Sequence, residues 1–186
     1  MPRDKLPCLV LISGGIDSAA CLRYYLRRQH PVAGLFVDYG QPAQHMERSA
    51  AVAICERLGV RLGVSQVEGP SVGVGLIRSR NALLLMLALM LTEFDIGLVS
   101  MGVHAGTTYP DCSPPFIRHV QSLYDLYTGG RIRVDAPFLE WSKRDVYDFA
   151  VGHGVPVDLT YSCLAGAEQP CRICESCRDL EALGVR

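Results

Sequence analysis

Apolar residues in this chain come in short unbroken runs separated by longer stretches of helical spacing. Residues 8–12, Cys-Leu-Val-Leu-Ile, show no alternation, the pattern of a central parallel strand buried on both faces. A Ser-Gly-Gly turn follows, and residues 17–29 carry apolar positions at helical spacing. Residues 32–37 form a second run, closed by Asp38-Tyr39-Gly40, and residues 41–58 read as a helix stopped by Gly59. Residues 60–67 read as a third strand, and 68–77, rich in Gly and Val, as a loop or irregular strand. Residues 80–94 give the strongest helix pattern; it is apolar almost all round, which predicts burial. A fourth strand is predicted over 96–101, a loop over 102–115, a helix over 116–128 and a short strand over 131–134. Residues 142–153 read as a helix with Ser142 as its N-cap, and 155–162 as irregular.

Strands alternate with helices throughout. This predicts an α/β fold, a mostly parallel sheet with helices on both faces, over residues 1–155. Residues 156–186 form a small cysteine-bearing segment packed on it. In such sheets ligands bind beyond the carboxyl ends of the strands, near the point where strand order reverses. The loops after strands one, two and four are expected to open there.

Composition narrows the function. A net charge of −1 argues against a nucleic-acid or membrane-surface partner. The most apolar stretch, residues 82–91, is too short to span a bilayer, and residues 1–12 hold only a brief apolar run. The reading is of a cytoplasmic protein. In that setting eight cysteines point to metal binding or catalysis rather than disulfides.

Ser13-Gly14-Gly15-Ile16-Asp17-Ser18 joins the first strand to a helix. The glycines permit a tight turn and close approach to a ligand. The two hydroxyls, the free N–H groups and the positive end of the helix dipole together suit a phosphate. A glycine-rich turn capped by Asp17, with no ligand, is the plainer alternative. The loop is neither a Walker A motif, since no Lys follows the glycines, nor a G-x-G-x-x-G fingerprint. It resembles the SGGxDS signature of the PP-loop ATP pyrophosphatases, in which this loop holds the pyrophosphate released when ATP adenylates a substrate.

Near the C-terminus Cys163, Cys171, Cys174 and Cys177 form C-x7-C-x2-C-x2-C. Four thiolates at such spacing can close the tetrahedral shell of a structural Zn²⁺. An iron–sulfur cluster is the other ligand set this spacing allows. Cys8, Cys21 and Cys55 sit in apolar patterns and read as small core residues, whereas Cys112 lies in a loop with no assigned role.

Further segments appear in a fixed order: Asp38-Tyr39-Gly40-Gln41, Arg80-Asn81, Tyr109-Pro110-Asp111-Cys112, Ala136-Pro137 with Ser142-Lys143, and Thr160-Tyr161-Ser162-Cys163. Together with the loop and the cysteines they resemble the 7-cyano-7-deazaguanine synthase (QueC) family over nearly the whole chain. The resemblance implies an ATP-dependent carbon–nitrogen ligase. It would adenylate 7-carboxy-7-deazaguanine, capture ammonia and dehydrate the amide to the nitrile. It implies ATP with Mg²⁺, zinc on the four cysteines, and a homodimer.

By the same resemblance Ser13, Gly14, Gly15, Asp17 and Ser18 handle ATP, joined by Tyr39 and Gln41. Asp17, Ser18, Arg80 and Lys143 are the catalytic candidates, and Arg80, Asn81, Tyr109 and Asp111 the substrate-binding ones. Lys143 directly follows an expected N-cap, where a cation is locally unfavourable, which favours a ligand-facing role. Among the histidines, His104 is the best placed, just after the fourth strand. The chain departs from the family at Arg78-Ser79, Ser113, Leu164 and Leu180. These departures leave open a relative that stops at the amide or joins the acid to another amine, even on a protein. A PP-loop enzyme acting on tRNA is a further alternative.

Overall fold

A computed structural model describes residues 5–69, 72–92, 95–107 and 109–185. Five parallel strands form one sheet: β1 (Cys8–Leu11), β2 (Val32–Asp38), β3 (Arg61–Gln66), β4 (Leu98–Met101) and β5 (Arg133–Asp135). Their spatial order is β3-β2-β1-β4-β5. The chain therefore builds outward from β1 in one direction, then returns to β1's other side, so strand order reverses between β1 and β4.

Among the described residues, six α-helices connect and cover the sheet: α1 (Ile16–Arg27), α2 (Gln44–Leu58), α3 (Arg80–Leu91), α4 (Pro114–Thr128), α5 (Lys143–Gly152) and α6 (Glu175–Ala182). The unbroken apolar run of β1 is explained by its neighbours. Cys8, Val10 and Ile12 pack with α1, α2 and α5 on one face, while Leu11 packs with α3 and α4 on the other. A buried polar network adds specificity on the first face. Tyr25 of α1 donates its hydroxyl hydrogen to Asp135 Oδ2 at 2.5 Å, and Ser100 Oγ of β4 lies 3.0 Å from the Tyr25 oxygen. Among the described residues, no helix is long and apolar enough to cross a membrane.

The elements match the sequence pattern, with instructive shifts at their ends. Gly59 ends α2 in the left-handed region, φ 67°, as its expected C-terminal stop. Residues 41–43 precede α2 instead of joining it. Helix α4 starts two residues earlier than expected, with Ser113 as N-cap accepting from the Phe116 N–H and prolines opening the helix. Helix α6 lies where only metal-ligand spacing had been read.

The largest correction concerns α3, which is not buried. Asn81, Leu85 and Ala88 are covered, but Leu83, Met90 and Leu91 are exposed, Met90 by 72%. Only one side of α3 meets the sheet and α4, and among the described residues nothing covers the other. Phe94, at the expected helix end, lies outside the described residues.

Helix α5 opens with a reciprocal cap: Ser142 Oγ accepts from the Asp145 N–H, and Asp145 accepts from the Ser142 N–H at 2.8 Å. This cap fixes the direction in which Lys143 leaves the helix. Replacing Ser142 by Ala is expected to lower stability by about 1 kcal/mol in urea unfolding.

Candidate active site

The loops after β1, β2 and β4 open together at the switch point, as parallel-sheet physics requires. Between β1 and α1 the chain turns so tightly that Gly14 adopts φ +81°, and a Cβ there would lie 2.4 Å from the Glu47 carbonyl oxygen. Only glycine fits. Gly15 is the α1 N-cap and receives no side-chain cap, so the first N–H groups of the helix face the cavity. Ser18 Oγ donates to the Gly15 carbonyl at 2.9 Å and accepts from the Ser13 N–H at 3.2 Å. The loop is thereby held in shape by its own hydroxyl.

Asp17 projects from the first turn of α1. Lys143 Nζ, arriving from the start of α5, donates to both of its carboxylate oxygens at 2.7 and 2.6 Å. The cation that was out of place beside an N-cap is thus matched by an anion from another helix. His104, only 5% exposed, brings Nε2 to 3.7 Å from the same carboxylate. Its Nδ1 lies 3.0 Å from the Gly106 N–H. A backbone N–H can only donate, so Nδ1 is the acceptor and the ring proton sits on Nε2, facing Asp17. Burial holds the His104 pKa below the usual imidazole range.

Tyr39 and Gln41 follow β2. Gln41 is buried and committed within the protein: its carbonyl oxygen accepts from the Tyr39 N–H at 2.9 Å, and its amide nitrogen donates to Glu47 at 2.9 Å. It braces the turn that presents Tyr39. Burial raises the Glu47 pKa, favouring its protonated form. Asn81 ties α3 to the 109–112 turn, since its N–H donates to Asp111 Oδ2 and its side chain donates to the Asp111 carbonyl, both at 3.2 Å. The Asp111 carboxylate therefore caps α3. Arg80 and Tyr109, flanking this junction, line the cavity.

Sulfurs of Cys163, Cys171, Cys174 and Cys177 all lie within 4.8 Å of one another. A tetrahedral Zn²⁺ shell needs sulfurs about 3.8 Å apart, and Cys171 and Cys177 are at 4.0 Å. Backbone N–H groups point at the sulfurs, from Cys171 to Cys163 at 3.3 Å and from Cys174 to Cys171 at 3.4 Å, as thiolates require. The set fits a metal with a closed shell. The other cysteines are buried: burial pushes the thiol pKa of Cys21 up to about 12 and of Cys55 to about 11, and it also raises that of Cys112, which lines the cavity.

The cavity residues on α6 carry no local sequence signal. The Tyr161 N–H donates to the Gly14 carbonyl at 2.9 Å, fastening the cysteine segment to the phosphate loop. Helix α6 then brings Glu175, Ser176 and Asp179 to the cavity wall, and Tyr109 donates its hydroxyl hydrogen to Glu175. Glu175 sits between two metal-ligand cysteines and reads, in sequence, as spacer.

Two solved structures share the fold at low identity. One, described as a predicted subunit of a tRNA methyltransferase from Methanocaldococcus jannaschii, has a TM-score of 0.54 at 12% identity, over 78% of this chain and 74% of its own. The U34-tRNA thiolase NcsA from Methanococcus maripaludis also has a TM-score of 0.54, at 15% identity, over 88% of this chain and 63% of its own. Sequence relatives are nearer. A 7-cyano-7-deazaguanine synthase from Synechococcus sp. (strain RCC307) is 33% identical over 204 residues, 94% of this chain and 92% of its own length. The corresponding synthase from Synechococcus sp. (strain CC9605) is 31% identical over 206 residues, 94% of this chain and 90% of its own. The family described as queuosine biosynthesis protein QueC matches residues 7–71 and 63–182. With the phosphate loop, the cysteine cluster and this coverage in one chain, the protein belongs to the QueC family.

Proposed function

We propose that the protein is a cytoplasmic, ATP-dependent carbon–nitrogen ligase that converts 7-carboxy-7-deazaguanine to 7-cyano-7-deazaguanine. The observation that carries the reading is the Ser13–Ser18 loop at the strand-order switch, with Lys143 clasping Asp17 beside its free N–H groups. Family membership supplies the substrate. A carboxylate is a poor acyl donor, so activation must come first. The acid's oxygen attacks the α-phosphorus of ATP, the bond to the β-phosphate oxygen breaks, and pyrophosphate leaves. Ammonia attacks the acyl carbon, AMP departs, and nitrogen loses a proton to give the amide. A second ATP activates the amide oxygen, and loss of AMP with both N–H protons leaves the nitrile.

Charge develops on phosphate oxygens during each activation, and donors fixed in advance stabilise it without reorganising. The loop N–H groups, Ser13 and Lys143 fill that role, while Ser18 holds the loop in shape through the Gly15 carbonyl. Mg²⁺ arriving with ATP would neutralise further phosphate charge. Tyr39 offers a ring on the cavity wall on which a base can stack. Arg80 is suited to hold a carboxylate or a phosphate, since its fork matches either. Asn81 and Asp111 act through Arg80 and Tyr109, by fixing the junction that presents them. Zinc on the four cysteines would be structural, because a closed four-thiolate shell leaves no open position.

The reaction is tested by incubating the protein with ATP, Mg²⁺, ammonia and the acid, then reading products by mass spectrometry. Nitrile and AMP are expected. Asp17→Ala and Lys143→Met should each lose at least about 100-fold in rate, the cost of removing a preorganised charge partner. Amide without nitrile would move the end point one step earlier. An untouched acid with no AMP would sink the substrate assignment.

The exposed face of α3 continues onto α4, where Leu123, Leu126 and Tyr127 are exposed at 44, 75 and 67%. A groove between the helices joins Met86, Leu89 and Met90 to Tyr127 and Ile132. Fully burying such side chains is worth about 1.5–3 kcal/mol each, so this face suits a homodimer contact. Sedimentation is expected to show a dimer that Met90→Glu with Leu126→Glu converts to monomer. A dimer unmoved by both changes would place the contact elsewhere.

A further inference from the structure

A 7-deazaguanine acid has two chemically opposite ends. Its carboxylate must approach ATP near Lys143. Its far edge carries two adjacent donors, a ring N–H and an exocyclic amine, and a carboxylate is the side chain that accepts from both at once. Four carboxylates line the cavity: Asp17, Glu47, Glu175 and Asp179. Lys143 occupies both oxygens of Asp17. Glu47 is bonded to Gln41 and partly buried, and burial raises its pKa. Asp179, one turn further along α6, is partly buried.

Glu175 is the most open of the four. It is exposed at the cavity mouth, and among the described residues its hydrogen-bond partner is the Tyr109 hydroxyl, on one oxygen. The other oxygen is left for a ligand, with the Tyr109 ring beside it. Its position is also fixed. Glu175 opens α6 directly after Cys174, the α6 N-cap, and Cys177 follows within the same turn. Both cysteines belong to the four-sulfur cluster, so the direction of Glu175 is tied to the cluster's geometry. Glu175 also stands in the first turn of α6, where the helix dipole favours an acidic residue.

We propose that Glu175 is the specificity residue that reads the N–H and amino edge of the heterocycle, held in place by the four-cysteine cluster. The inference rests on a 7-deazaguanine acid being the substrate. The test compares wild type with Glu175→Gln, an exposed, isosteric change that leaves the fold intact. Pyrophosphate release is measured at saturating ATP with the acid and with the same acid lacking its 2-amino group.

Wild type should favour the amino-bearing acid by about 10- to 100-fold in kcat/KM, the worth of a charge-assisted hydrogen bond. Glu175→Gln should narrow that preference to a few-fold, mainly through KM for the acid, with KM for ATP unchanged. An unchanged preference, or an equal fall with both acids, would overturn the assignment, because a residue that merely supports α6 cannot tell the two acids apart. Turnover of neither acid by wild type would instead remove the substrate reading, and this inference with it.

Discussion

The site depends on two backbone approaches that no side chain could survive. At Gly102, just past β4, a Cβ would stand 2.3 Å from the Asp17 carbonyl oxygen, and at Gly14 it would stand 2.4 Å from the Glu47 carbonyl oxygen. The start of α1 is therefore pressed between the end of β4 and the flank of α2. This clamp fixes the first turn of α1, and with it the direction of Asp17 and the free N–H groups. Lys143 and His104 then meet a carboxylate whose position is already set. The order of causes runs from glycine sterics, through helix placement, to the charge arrangement.

That arrangement also explains why Lys143 sits where helix electrostatics disfavour it. A cation in the first turn of α5 opposes the dipole, a penalty of a few tenths to about 1 kcal/mol. Pairing with a partly buried carboxylate at 2.6 Å can outweigh this, because the pair is shielded from solvent. The pair need not be a net stabiliser of the fold, since desolvating both charges also costs free energy. Its value is poise: the ammonium is held beside the phosphate loop, where an incoming anion can share it.

Features encoded locally were legible in the sequence. The strand-turn-helix glycines, the Gly59 stop, the Ser142 cap and the cysteine spacing each depend on residues within a few positions of one another, and each appears in the fold. Features that depend on tertiary placement were not legible. Periodicity identified α3 as a helix but could not say how many of its sides find a partner, so uniform apolarity was read as burial. Asp111 looked like a substrate acceptor from its loop, yet the start of α3 takes its carboxylate. His104 was noticed for its place after β4, but its tautomer is set by Gly106, two residues on, through a loop geometry that composition does not encode.

The cysteine segment shows most clearly why such sites resist local reading. Spacing identifies metal ligands because short loops can converge on one ion, and that argument treats the intervening residues as filler. Here the filler faces the cavity. Tyr161 fastens the segment to Gly14, Leu180 of α6 enters the same core as β1, and α6 becomes a wall of the site it was expected only to accompany. A metal held by the four sulfurs would order the α6 wall of the cavity together with the tail, so folding of the tail and completion of that wall would be one event.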